Sequence, residues 1–163
     1  HTLGKQTYTD QVSARDSFIV AVLTHGEGYH NFHHHFQLDY RNGIRWYQWD
    51  PTKWIIRTLA FLGLAKKLKT ISQAEILKAK LQMDEMRLRS KGFSNEKVAQ
   101  LKEKILNAQI ALQKFKADYA ALKSEMQDAS DEKMKELKMN IELMKIEFRY
   151  SMKMWQAHLQ AAH

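Results

Sequence analysis

The residues best placed to do chemistry crowd into one short stretch, Gly26-Glu27-Gly28-Tyr29-His30-Asn31-Phe32-His33-His34-His35-Phe36. On an α-helix, side chains three and four residues apart share a face, with Cβ atoms roughly 5–6 Å apart. His30, His33 and His34 then present three imidazoles to a common point, while His35 turns away. Neutral imidazole suits zinc, copper, iron and nickel, so an H-x-x-H-H cluster can hold one ion or share two. Glu27 stands three residues before His30 and would add a carboxylate to that face, although the glycines beside it work against a helix reaching so far. Spacing alone leaves the metal and the reaction open. Two blander readings stand beside it, a metal-scavenging tract and a chance run. An expression tag fits poorly, because tags are uniform and terminal and this run lies among aromatics.

The rest of the composition narrows the setting. The chain has 163 residues and no cysteine, which removes thiolate metal sites and disulfide scaffolds. Its net charge of +8 comes from 26 basic and 18 acidic residues. In the second half lysine alternates with glutamate and aspartate, as on a solvated helix face, so no nucleic-acid partner is expected. The one basic run, Lys66-Lys67-Leu68-Lys69, follows an apolar stretch and suits a membrane surface better. No stretch reaches the roughly 18–20 apolar residues needed to span a bilayer. The chain opens on His1 and not on methionine, which we read as the start of a fragment.

Two segments with different grammar must position the cluster. Residues 1–70 are rich in His, Trp, Tyr and Gly; residues 71–163 are rich in Lys, Glu, Met, Leu and Ala. A single proline, Pro51, favours long uninterrupted helices and an all-α fold. Pro51 suits the first turn of an amphipathic helix over 51–65, with Asp50 as its N-cap, lying near a membrane surface. Trp46, Tyr47, Trp49 and Trp54 either lie against a headgroup region or pack within the segment, and packing is the expectation, since aromatics bury large areas. Ser72-Gln73-Ala74-Glu75 is a capping box flanked by a staple of Ile71 and Ile76, opening a helix that runs to about Arg89 and stops at Gly92. Ser94 caps the next helix. Val98, Leu101, Ile105, Ala108, Leu112, Phe115, Tyr119, Leu122 and Met126 follow at strict 3-4 spacing. The pattern stutters at 128–131 and resumes with Met134, Leu137, Ile141, Met144, Phe148, Trp155 and Leu159. Ser130 would cap a helix folding back as a hairpin; a continuous rod is the alternative. The seam serves either an intramolecular hairpin or a coiled-coil partner, including self-association of the tail.

Residues 26–34, Gly-Glu-Gly-Tyr-His-Asn-Phe-His-His, resemble the third histidine box of the acyl-CoA Δ9 (stearoyl-CoA) desaturase family. The resemblance continues through Phe36-Gln37-Leu38-Asp39-Tyr40-Arg41-Asn42-Gly43-Ile44-Arg45-Trp46-Tyr47-Gln48-Trp49-Asp50-Pro51-Thr52-Lys53-Trp54. It closes with Leu62-Gly63-Leu64-Ala65, as in the bacterial branch. Upstream, Ser13-Ala14-Arg15-Asp16-Ser17 resembles the segment that precedes the box. It covers residues 1 to about 70, and the helical tail shows no such similarity.

The resemblance implies a C-terminal piece of a membrane di-iron enzyme that uses O₂ and two electrons to place a cis double bond, at Δ9, in a saturated acyl-CoA. It implies His1, His30, His33 and His34 as iron ligands, His1 by its likeness to the end of an Asn-Ser-x-x-His segment. His25 and His35 fall where the family varies, and His158 and His163 lie in the tail. Glu27, Asn31 and Asp39 are candidates to orient the imidazoles from behind, with a purely structural capping or turn role standing equally for each. The implied partners are a fatty acyl-CoA or another acyl substrate, a cytochrome b5-like or ferredoxin-like electron donor, and the membrane through helices upstream. The segment would face the cytoplasm, and alone it should be inactive. A non-enzymatic coiled-coil adaptor with an incidental or zinc-binding histidine cluster is the alternative.

Overall fold

The computed structural model describes residues 4–125 and 131–162. Its six helices are α1 (Phe18–Leu23), α2 (His30–His35), α3 (Pro51–Phe61), α4 (Gln73–Ser90), α5 (Asn95–Glu125) and α6 (Asp131–Ala161). The all-α expectation is met: the described residues contain no strand, only isolated antiparallel bridges of Asp16 with Lys5 and with Tyr29. The chain divides into two compact units, His1–Met83 and Asp84–His163.

In the first unit the helix ends follow the sequence signals closely. The Asp50 carboxylate caps α3 by accepting from the Lys53 N–H, with Pro51 at the first helical position. The helix stops at Phe61, short of residue 65. Gly63 takes φ +76, and the Gly63 and Leu64 amides turn back to the carbonyls of Ala60 and Leu59. Such a left-handed glycine closure satisfies the last carbonyls of a helix. At the start of α4, the Glu75 N–H donates to Ser72 Oγ at 3.2 Å and the Ser72 N–H to Glu75 Oε2 at 3.2 Å, the capping box read from the sequence. Ile76 and Ala79 of α4 join Tyr8 and Phe32 in a buried cluster, with Phe36, Ile44 and Ile71 packed against it. The first turns of this lysine-rich helix therefore build the core beneath α2.

The second unit holds the end of α4, α5 and α6. α4 closes as α3 does, with Gly92 at φ +85 and the Gly92 and Phe93 amides donating to Arg89 and Leu88. The heptad seam is consumed inside the unit. Val98, Ile105, Ala108 and Leu112 are buried, and Leu101, Phe115, Tyr119 and Leu122 are half-buried. On α6, Trp155 is 1% exposed, and Met134, Leu137, Ile141, Met144, Phe148 and Leu159 are half-buried. Phe93, before α5, meets His158 near the end of α6 at 5.8 Å between rings, and Lys138 lies over Tyr119. The two helices run antiparallel, as a hairpin and not a rod. Met126 and the Ser130 cap lie outside the described residues. Glu85 is buried and pairs with Arg89 at 2.5 Å and with Lys102, while the Trp155 indole donates to Asp84 at 3.3 Å. No helix among the described residues is long and apolar enough to cross a membrane.

A truncation series should separate the two faces of α5. Ile105→Ala, at a fully buried seam position, is expected to cost about 2–5 kcal/mol, and Ile110→Ala, on the exposed face, less than about 0.5 kcal/mol. Urea unfolding followed by circular dichroism checks both.

Candidate metal centre

α2 is only six residues long, too short to be stable alone, and its surroundings hold it from both ends. Its own N-cap, Tyr29, offers no side-chain bond. The Asp16 carboxylate supplies one instead, accepting from the N–H groups of Asn31 at 3.0 Å and Phe32 at 3.2 Å. Burial pushes the Asp16 carboxyl above its ordinary pKa, outweighing these bonds. Asn31 is fully buried and its amide is fully used. Oδ1 accepts from the Thr7, Tyr8 and Thr9 N–H groups at 2.9, 2.7 and 3.3 Å, and Nδ2 donates to the Thr9 and Ala14 carbonyls at 2.7 and 3.0 Å. Phe32 packs edge-on against Tyr8 and tilted against Phe36. Gly28 allows α1 to cross closely, since a Cβ there would lie 2.0 Å from the Ala21 nitrogen.

With Asn31 and Phe32 facing inward, the imidazoles face outward. His30 is half-buried, and His33, His34 and His35 are exposed. Ring centroids lie 4.5 Å apart for His30–His34, 5.9 Å for His33–His34 and 6.3 Å for His30–His33. His35 turns to Phe36 instead, at 4.4 Å, and burial lowers its pKa. The three rings thus share a face but do not meet at one point. Among the described residues, no three His, Asp or Glu side chains are grouped to hold a single ion.

The residues expected behind the imidazoles behave differently from one another. α2 begins at His30, so Glu27 is not on the helical face. It is the Glu27 carbonyl, at 3.1 Å, that meets His30 Nδ1. A carbonyl only accepts, so this contact puts a proton on Nδ1. Asn31 spends its side chain on the 7–14 segment. Asp39 spends its own on Arg41, at 2.8 and 2.6 Å, and on the Ile71 N–H at 2.9 Å. Burial pushes the Asp39 carboxyl up, but the bonds from Arg41 and Ile71 outweigh it and hold the pKa below its ordinary value. His1 and His163 lie outside the described residues, His25 is exposed, and the His158 ring bonds the Met154 carbonyl at 2.7 Å.

Sequence reasoning missed the most heavily bonded lysine. Lys53 is 2% exposed, and its ammonium donates to the Gly43 and Arg45 carbonyls at 2.8 and 2.9 Å. Asp50 beside it accepts from the Asn42 and Gly43 amides at 2.8 and 2.9 Å. Together they tie the 42–50 loop to α3. The aromatics expected to pack stay at the surface: Trp46 of the loop is 81% exposed and Tyr47 is exposed too, while Trp49 and, on α3, Trp54 meet each other edge-on at 5.5 Å and remain exposed. A loop cinched from within by Lys53 and Asp50 has no room to bury them.

The structure thus presents an outward row of imidazoles on a buried, hydrogen-bonded scaffold. Among known proteins, the chain is similar to acyl desaturases over part of its length. The chain is 48% identical over 91 residues to "Acyl-CoA desaturase 1" of Saccharomyces cerevisiae, covering 56% of this chain and 18% of that protein. It is 50% identical over 82 residues to "Probable acyl-CoA desaturase" of Schizosaccharomyces pombe, covering 50% of this chain and 17% of that protein. It is 41% identical over 69 residues to "sn-1 stearoyl-lipid 9-desaturase" of Synechocystis, covering 42% of this chain and 22% of that protein. The chain thus spans about a fifth of the length of these curated relatives. No family model matches, and no solved structure matches. A continuous match of 91 residues cannot fit before residue 70, and wherever it starts in a chain of 163 it includes residues 73–91. The similarity therefore extends past residue 70 and takes in α4.

Two substitutions test the scaffold. Asn31→Ala orphans several buried backbone groups and is expected to cost about 3 kcal/mol or more, with faster amide exchange across 7–14. Asp39 has a depressed folded pKa, so its contribution is present above the ordinary carboxylate value of 3.8 and fades as pH falls through the lower folded value. Asp39→Asn should therefore be less stable than wild type at about pH 7 and nearly equal to it at about pH 2, in urea midpoints measured at each pH.

Proposed function

We propose that this chain is the C-terminal part of a membrane-bound, O₂-dependent fatty acyl desaturase, acting on a saturated acyl-CoA at Δ9, with this segment on the cytoplasmic side. The observation that carries the reading is the outward imidazole face of α2, within a chain whose curated relatives are acyl desaturases. The donor set fits iron, because imidazole nitrogen is a ligand this metal accepts. The rings are spread along a face instead of gathered on one point, which suits ligands shared between two ions and completed from elsewhere in a longer polypeptide. His30, His33 and His34 would hold the irons together with His1. When bound, two irons supply the oxidising power, with O₂ and two electrons from a cytochrome b5-like or ferredoxin-like donor, to remove two hydrogens from adjacent methylenes.

The chain's own residues bind and orient. The Glu27 carbonyl fixes the His30 tautomer. Asp16 and Asn31 hold the helix so that the imidazoles cannot rotate into the core, and Phe32 seals the side away from the metals. Asp39 and Arg41 anchor the 39–41 turn to Ile71, holding the start of α4 beneath the site. The adaptor alternative loses the interface it was built on, since the heptad seam is consumed within the second unit.

In the full-length enzyme expressed in a host lacking its own desaturase, His33→Ala or His34→Ala should reduce product on the order of 100-fold or more, with bound iron falling in parallel. His35→Ala should retain both. The isolated 163 residues should form no double bond and hold no stoichiometric iron pair. Full activity in His33→Ala, or a parent protein that purifies active without iron, would remove the reading.

A further inference from the structure

α6 carries a second apolar stripe that the hairpin does not use. Met139, Leu143, Ile146, Tyr150 and Met154 recur at helical spacing, two residues out of step with the seam of Leu137, Ile141, Met144 and Phe148. At 3.6 residues per turn, two residues is about 200°, so the second stripe lies on the side of α6 opposite α5. The structure leaves it open: Met139, Leu143, Ile146 and Tyr150 are 51–65% exposed. From Met139 to Met154 it runs about 22 Å along the helix. A continuous apolar strip of this length on a charged helix marks an interaction surface.

The charges along its edges select the occupant. Glu142 and Arg149 flank the stripe on one side, and Asn140 and Glu147 on the other. Within its own helix Glu142 pairs with Lys145 at 2.5 Å and feels the charge of Arg149. Suppose a second α6 lies antiparallel, with Leu143 opposite Ile146 and Met139 opposite Tyr150 of the second copy. Glu142 then falls beside Arg149 of that copy, and the two-fold axis repeats the pair. A parallel pairing would instead set Glu142 against Glu147, like charge on like. We propose that the outer face of α6 is the interface of an antiparallel homodimer, two α6 helices at its centre and one α5 outside each. This goes beyond the desaturase reading and does not rest on it.

Sedimentation equilibrium of the full 163-residue chain tests it. Wild type should be a reversible dimer. Glu142→Arg or Arg149→Glu alone should weaken it by about 10-fold, because two attractive pairs become repulsive. The double exchange E142R/R149E should restore the wild-type dissociation constant to within about twofold, which only the antiparallel register predicts. Ile146→Gln, at a position exposed in the monomer, should abolish the dimer while circular dichroism shows unchanged helix. A wild type that stays monomeric, associates only with lipid vesicles, or dimerises with no response to Ile146→Gln or to the charge changes would overturn the proposal. So would a double exchange that fails to restore it.

Discussion

The orientation of the histidine helix depends on a single carboxamide. Asn31 accepts from three consecutive backbone amides and donates to two carbonyls, tying the 7–14 segment against α2. Asp16, held in turn by its bridges to Lys5 and Tyr29, caps the same helix. Six residues of helix have too few internal bonds to persist by propensity. What fixes which side of α2 faces out is the cost of leaving five backbone groups unpaired in the interior if Asn31 turned toward solvent. The chemistry of the outer face is therefore set by a residue on the inner one.

α4 contributes to both units of the chain. The change from histidine and tryptophan to lysine and glutamate near Thr70 is real, and the capping box at Ser72 opens a helix as it should. Composition reports which residues meet water, however, and α4 meets water over much of its surface while burying Ile76 and Ala79 under Phe32. The same helix then supplies Leu88 to the second unit. Its inclusion in the match to the yeast protein agrees with its place in the core.

Local signals with a stereochemical cause were the legible part: Asp50 and Pro51 opening α3, Gly92 closing α4, the 3-4 seam of α5 and α6. Each is decided by a few neighbouring residues. The shared face of His30, His33 and His34 was legible for the same reason. Three things were not. Glu27 acts through its backbone, which no side-chain rule anticipates. Asn31 and Asp39 have long-range partners, at Thr7–Thr9 and at Ile71, that spacing cannot reveal. Lys53 looked like an ordinary surface lysine, and its burial follows only once the 42–50 loop has folded over it. The outer stripe of α6 was visible in the sequence but overshadowed by the stronger seam two residues away.

Lys53 has one further consequence. Because its ammonium is tied to the carbonyls of Gly43 and Arg45, and Asp50 to the amides of Asn42 and Gly43, the tryptophan-bearing loop and the start of α3 move as one body. Whatever surface Trp46 and Trp49 meet, the backbone carrying them has already lost its freedom during folding. Contact then has to immobilise little more than the indole rings, sparing the roughly 1–2 kcal/mol per residue that ordering a floppy backbone would cost.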